Sequence, residues 1–191
     1  NEILPDELIA GLNKFKCLSV RDDNSYNIIE KFLNKQAELV LDPTLLYDYS
    51  SDILEVELPV KENYILFYGI NFENYGEQII KQIKEFAQKI DLKIISVGYK
   101  HEWADKNYAD INPFEWMTYI KNASFVITNM FHGTIFAIKY NKIFATIGSN
   151  RRKNKVESLL KHMGLSQRVI YFNATDNLLS NVLNEKIDYD K

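Results

Sequence analysis

The chain has 191 residues, 46% of them hydrophobic, which is enough to bury a substantial core. With 23 basic and 26 acidic side chains its net charge is only -3, which excludes a nucleic-acid footprint and a long acidic tail, so any anionic ligand has to be met by local charge. The single cysteine, Cys17, excludes an intramolecular disulfide and a CxxC metal site and favours a reducing compartment.

Residues 1–15 open with Asn1 and run "NEILPDELIAGL", which reads as the tail of an earlier segment. The first apolar run, "CLSV" at Cys17 to Val20, is a candidate strand in which Cys17 is expected to be a small buried hydrophobe. It ends at Arg21, and Asp22, Asp23 and Asn24 then offer N-caps for a helix. A second strand, "AELVL" at Ala37 to Leu41, runs into Asp42 and Pro43, a turn whose side-chain oxygen can satisfy the N–H groups that follow. Residues 47–61, acidic and broken by Pro59, read as a connector. Strands are expected again at Tyr64 to Ile70, Lys93 to Gly98, Ser124 to Asn129, Ile143 to Gly148 and Arg168 to Phe172.

Between them the spacing is helical. Ile79, Ile80, Ile83, Phe86, Ala87 and Ile90 recur at three- and four-residue steps and predict a helix from Tyr75 to Ile90. A second helix is capped by Asn112 with Pro113 in its first turn. "TIFAIKY" follows the fifth strand, "KVESLLKHMGL" closes on Gly164 as a left-handed cap, and "NLLSNVLNEKI" forms the last helix. Strand and helix in alternation predict an α/β fold: one open, mostly parallel sheet with helices on both faces, a single Rossmann-like domain over residues 1–191. No apolar stretch reaches the roughly 20 residues needed to cross a bilayer, and no signal-peptide pattern opens the chain. It reads as soluble and cytoplasmic, at most held at the inner face of a membrane.

In such sheets ligands sit at the carboxyl ends of strands, where helix N-termini present partial positive charge. Three charged features fall on that edge. His132 lies in the turn "NMFHG" after the fifth strand, with Asn129, Gly133 and Thr134 beside it; the pair can hold an anionic oxygen, or the imidazole can simply cap the helix or pack on Phe131. Arg21 can grip carboxylate or phosphate through two parallel hydrogen bonds, or pair with a neighbouring aspartate. "GSNRRKNK", from Gly148 to Lys155, follows the sixth strand and reads as an anion pocket rather than a solvated surface because it shares the edge with the other two. Of the remaining histidines, His162 suits a helix C-terminus and His101 stands in a loop without a motif. No Walker loop, GxGxxG, HExxH or GxSxG is present.

Taken together, "LSVRDDNSYNII", "AELVLDPTLL", "YIKNASFVITNMFHGTIFAIKYNKIF" and "NKVESLLKHMGLSQRVI" resemble the polysaccharide pyruvyl transferase family in order and spacing, from about Lys16 to Ile170. The resemblance implies a bacterial-type enzyme of surface-glycan synthesis that moves the pyruvyl group of phosphoenolpyruvate onto a saccharide, free or lipid-linked, as a ketal. It also implies a GT-B-type two-domain architecture, of which this chain is the carboxyl-terminal, donor-binding half, with an amino-terminal domain completing the cleft. The family's "FHG" histidine falls on His132 and its "SxR" arginine on Arg21, both lining the donor site. This chain departs from the pattern where Lys155 precedes Val156 in place of an arginine, which leaves the phosphate partner open among Arg151, Arg152, Lys153 and Lys155.

His132 is then the expected general acid, since an ordinary imidazole titrates near pH 6.5 and keeps a usable protonated fraction. No cofactor and no metal are expected. Two rival readings stand beside this one: a glycosyltransferase of the same architecture that uses a nucleotide-sugar donor, and a non-catalytic binding module that kept the fold.

Overall fold

The computed structural model describes residues 4–53, 56–70, 76–148, 153–171 and 177–190. The stretch expected as a tail folds as a helix, α1 (Asp6–Asn13), entered through Pro5 with Asp6 and Glu7 in its first turn, where acidic charge favours the helix dipole. Next come β1 (Ser19–Val20), α2 (Asp23–Leu33) and β2 (Glu38–Leu39). Asp22 is the N-cap that starts α2: its carboxylate accepts from the Ser25 amide at 2.8 Å and the Ser25 hydroxyl at 2.9 Å. Asn34, in the left-handed region at φ 49°, ends the helix.

β1 and β2 pair in parallel with each other and form a sheet of their own, which corrects the expectation of a single sheet. Each is only two residues long, and the described residues between 47 and 61 include no helical crossover of the kind that normally adds a strand to a parallel sheet. This small unit has its own apolar cluster, Ile29, Leu33 and Ala37, with Leu12, Leu18 and Val20 against it. Cys17 lies outside that cluster and is exposed, contrary to the expectation from its apolar neighbours. The connector is anchored as well as linking: Ile53 is buried, and Tyr49, Val56, Leu58 and Val60 pack on the larger core.

Among the described residues the main sheet has six parallel strands: β3 (Tyr64–Tyr68), β4 (Lys93–Val97), β5 (Lys106–Tyr108), β6 (Phe125–Thr128), β7 (Ile143–Gly148) and β8 (Val169–Tyr171). Their spatial order is β5-β4-β3-β6-β7-β8. The chain therefore starts at the centre, moves to one edge, then returns to build the other half, which leaves a topological switch point between β3 and β6. β5 has no sequence forecast because "KNY" carries neither an apolar run nor a clean alternation.

Alternation along the strands divides the core into two layers. Leu66, Val126 and Phe144 face α4 (Pro113–Asn122), α5 (Phe131–Lys139) and α6 (Lys153–His162). Ile65, Phe67, Ile127, Ala145 and Ile147 face α3 (Glu77–Lys89) and α7 (Leu178–Asn184). Helices thus cover both faces, as expected. Local chemistry sets their ends: Asn112 and Glu115 form a reciprocal capping box with Pro113 in the first turn of α4, and Gly164 after α6 sits at φ +67°. Among the described residues no helix is long and apolar enough to cross a membrane.

The small unit docks on α6. Asp23 meets His162 at 3.1 Å and Lys161 at 3.7 Å, and its amide donates to the Ser158 hydroxyl at 3.2 Å. That contact gives His162 the structural role expected of it, and it swings the carboxyl ends of β1 and β2 over the start of α5.

Candidate functional site

The site begins with how closely α5 approaches the sheet. The Thr128 hydroxyl donates to the Tyr68 carbonyl at 2.6 Å and accepts from the Met130 amide at 3.0 Å, tying the ends of β3 and β6 to the helix start. Gly133, in the first turn, lies against this knot. A Cβ there would collide with the Thr128 hydroxyl and come within 3.0 Å of the Tyr68 ring, so only glycine lets the helix sit so low. This gives Gly133 a packing reason that the sequence did not reveal.

The other residues at this turn are more internal than expected. Thr134 is fully buried; its hydroxyl meets Met130 O at 3.3 Å and the Thr146 hydroxyl at 2.9 Å, so that hydroxyl is spent inside the protein. Asn129 clamps the end of β3: its Oδ1 accepts from the Ile70 amide at 3.1 Å, and its Nδ2 donates to the Ile70 carbonyl at 2.8 Å. What both residues offer a ligand is therefore position of the backbone rather than a side-chain contact. Asn129→Ala should free the Ile70 amide, raising its hydrogen-exchange rate by about tenfold, the worth of one buried hydrogen bond. Unchanged protection would mean that the clamp is redundant.

His132 projects outward from the same turn, with its side chain 54% exposed. Its Nε2 is 3.8 Å from Oδ2 of Asp42, a carboxylate whose side chain is only 1% exposed. Asp42 also pairs through Oδ2 with Nη1 of Arg21, whose side chain is 41% exposed and whose guanidinium carbon lies 6.0 Å from the centre of the Phe131 ring. Three segments distant in sequence are thus brought together at one place. Burial pushes the Asp42 carboxyl upward, but hydrogen bonds from the Thr44 hydroxyl and amide and the pairing with Arg21 outweigh it, and the group titrates below the usual carboxylate range.

Asp42 is the site residue that sequence reasoning missed, having taken it for a turn residue only. The turn is real, because Oδ1 accepts from the Thr44 amide at 3.1 Å and its hydroxyl at 2.7 Å, opening the 3-10 turn Pro43–Leu45. The signal appears only once the pairing is known: with β1 and β2 paired in parallel, Ser19 opposite Glu38 and Val20 opposite Leu39, the charges that follow both strands come out on one edge.

The basic stretch is only partly in view. Arg151 and Arg152 lie outside the described residues, as does the side chain of Lys153, the first residue of α6; Lys155 is exposed in that helix's first turn. His101 is buried, its Nε2 2.9 Å from the Gly69 carbonyl and its ring 4.9 Å from that of Phe67, which makes it part of the packing at the switch point. Among the described residues no group of three or more His, Cys, Asp or Glu is arranged to hold a metal ion.

The family model for polysaccharide pyruvyl transferase matches residues 1–151, a span that contains Arg21, Asp42, Asn129, His132 and Gly133 and stops short of Arg152. A crystal structure of Methanocaldococcus jannaschii UDP-GlcNAc 2-epimerase in complex with UDP-GlcNAc and UDP is similar in fold, with a TM-score of 0.59 at 15% identity over 89% of this chain and 55% of the epimerase chain. A second structure of UDP-GlcNAc 2-epimerase from the same organism gives 0.50 at 15% identity, covering 75% and 42%. No curated protein matches in sequence. At such identity the likeness shows the fold alone, a GT-B-like Rossmann arrangement, and this chain spans about half the length of the structures it matches.

Proposed function

Because the chain belongs to the polysaccharide pyruvyl transferase family, we propose that it is the phosphoenolpyruvate-binding half of a transferase that places a pyruvyl group on a saccharide as a ketal. The observation that carries this reading is the convergence of Arg21, Asp42 and His132 over the N-terminus of α5. An anionic donor needs a guanidinium, and its reaction needs an acid; both stand there.

The chemistry has two demands. A proton must reach the methylene carbon of phosphoenolpyruvate, which becomes a methyl group and leaves positive charge on the central carbon for an acceptor hydroxyl to attack. A second hydroxyl of the acceptor then displaces phosphate, which leaves with the C–O bonding electrons. Two hydroxyl protons are released in all; one restores the acid and one balances the departing phosphate. His132 supplies the first proton, Arg21 holds the donor's carboxylate or phosphate, and the N–H groups of the first turn of α5 stabilise developing negative charge. The phosphate meets the basic residues Arg152, Lys153 and Lys155 or their neighbour Arg151. A second domain supplies much of the saccharide-acceptor site and completes the cleft, on the cytoplasmic side of the membrane.

Calorimetric titration of this chain with phosphoenolpyruvate tests the donor half of the proposal. Wild type should bind, and Arg21→Ala should bind at least tenfold more weakly, the effect of losing a charge-assisted hydrogen bond. Preference for UDP-GlcNAc, the ligand of the similar epimerase structure, would replace the proposal with the nucleotide-sugar reading.

A further inference from the structure

Asp42 carries more than its turn requires. Capping the Pro43–Leu45 turn uses Oδ1 alone, and asparagine or serine would do it without burying a charge. Burying a carboxylate is costly unless the remaining oxygen is fully used. Here it is: Oδ2 pairs with Arg21 and faces His132 at 3.8 Å. One buried oxygen therefore stands between the two exposed groups, and it is rigidly held, since Thr44 fixes the other end of the same carboxylate.

We propose that Asp42 is a positioning residue that sets Arg21 and His132 in register with each other for the donor, a role that rests on the reading of this site as the phosphoenolpyruvate site. Its charge engages Nη1 of Arg21 and leaves Nε and Nη2 for the donor's anionic oxygens. Facing Nε2 of His132, it orients the imidazole so that Nδ1 is the nitrogen turned to the donor. Both effects pass through the neighbours; Asp42 itself does not touch substrate. The arrangement follows the general pattern in which a buried carboxylate orients a working histidine.

The test has one arm with donor and one without. Asp42→Asn keeps an oxygen for Thr44 and should fold as wild type, yet bind phosphoenolpyruvate at least tenfold more weakly. In combination with Arg21→Ala it should add less than a further twofold, because the two residues act as one unit. The arm without donor records the ring nitrogen resonances of His132 by NMR; Asp42→Asn should shift them, and Asp42→Ser, which can still cap the turn, should do the same. Unchanged His132 signals with additive effects of Asp42→Asn and Arg21→Ala on binding would overturn the positioning role. Failure of both Asp42 variants to fold would assign the residue to the fold and overturn it as well. Should wild type bind no phosphoenolpyruvate while the His132 signals still shift in both variants, the donor reading fails and the coupling of Asp42 to the histidine stands.

Discussion

His132→Ala in the complete enzyme is expected to lower turnover by about 10²- to 10⁴-fold, the usual contribution of a positioned acid. In the proposed reaction the protonation step is the reason for so large an effect. Without a proton on the methylene carbon no positive charge develops, and the acceptor hydroxyl has nothing to attack. His132 is suited to this by where it stands: it is exposed, in the first turn of a helix laid across the carboxyl end of β6, beside a carboxylate and an arginine. Binding should suffer less than turnover, because Arg21 and the amides of α5 remain. Steady-state kinetics separate the two, and a variant that kept more than about a tenth of wild-type turnover would show that the proton comes from elsewhere.

The largest effect on stability is expected at a residue remote from the site. Arg168 is fully buried, with Nη1 on the Val182 carbonyl and Nη2 on the Glu185 carbonyl at 2.8 Å, so its fork closes the end of α7. Burial pushes the guanidinium down while Glu185 and Tyr189 oppose that, and the group remains a cation. Arg168→Ala would leave two carbonyls without their donor and a hollow under α7, which costs about 3 kcal/mol or more. Equilibrium urea unfolding should show this as a lower midpoint. Arg168→Lys should recover only part of the loss, because a single ammonium cannot span both carbonyls. A change under about 1 kcal/mol in Arg168→Ala would mean that water takes over the carbonyls without penalty.

The two residues illustrate what was legible in the sequence and what was not. Most strands of the main sheet are apolar runs buried on both faces, such as Tyr64 to Tyr68, and they announce themselves, whereas the edge strand β5 does not. Helix ends with side-chain caps, Asp22 and Asn112, were equally readable. Arg21 and His132 were singled out because both follow a strand at its carboxyl end. Asp42 was not, because its role depends on which strands pair, and a turn residue bonded to Thr44 looks complete by itself. Arg168 was read only as the start of a strand, since nothing local tells a guanidinium that it will lie under a helix ten residues later. Periodicity reports which way a side chain faces and leaves its distant partners unspecified.

The docking of the small unit on α6 has a consequence in time rather than in space. Its apolar cluster is separate from the two layers of the main core, and the seam that holds it includes polar contacts of Asp23 with the buried Ser158 and with the more exposed Lys161 and His162. Arg21 and Asp42 ride on that unit, while His132 rides on the main sheet. Partial opening can therefore part the three groups while the six strands stay intact, at a free energy well below that of global unfolding. Any anion gripped by Arg21 and the start of α5 at once would bridge the seam and slow that opening, so a bound donor would add to what holds the site together.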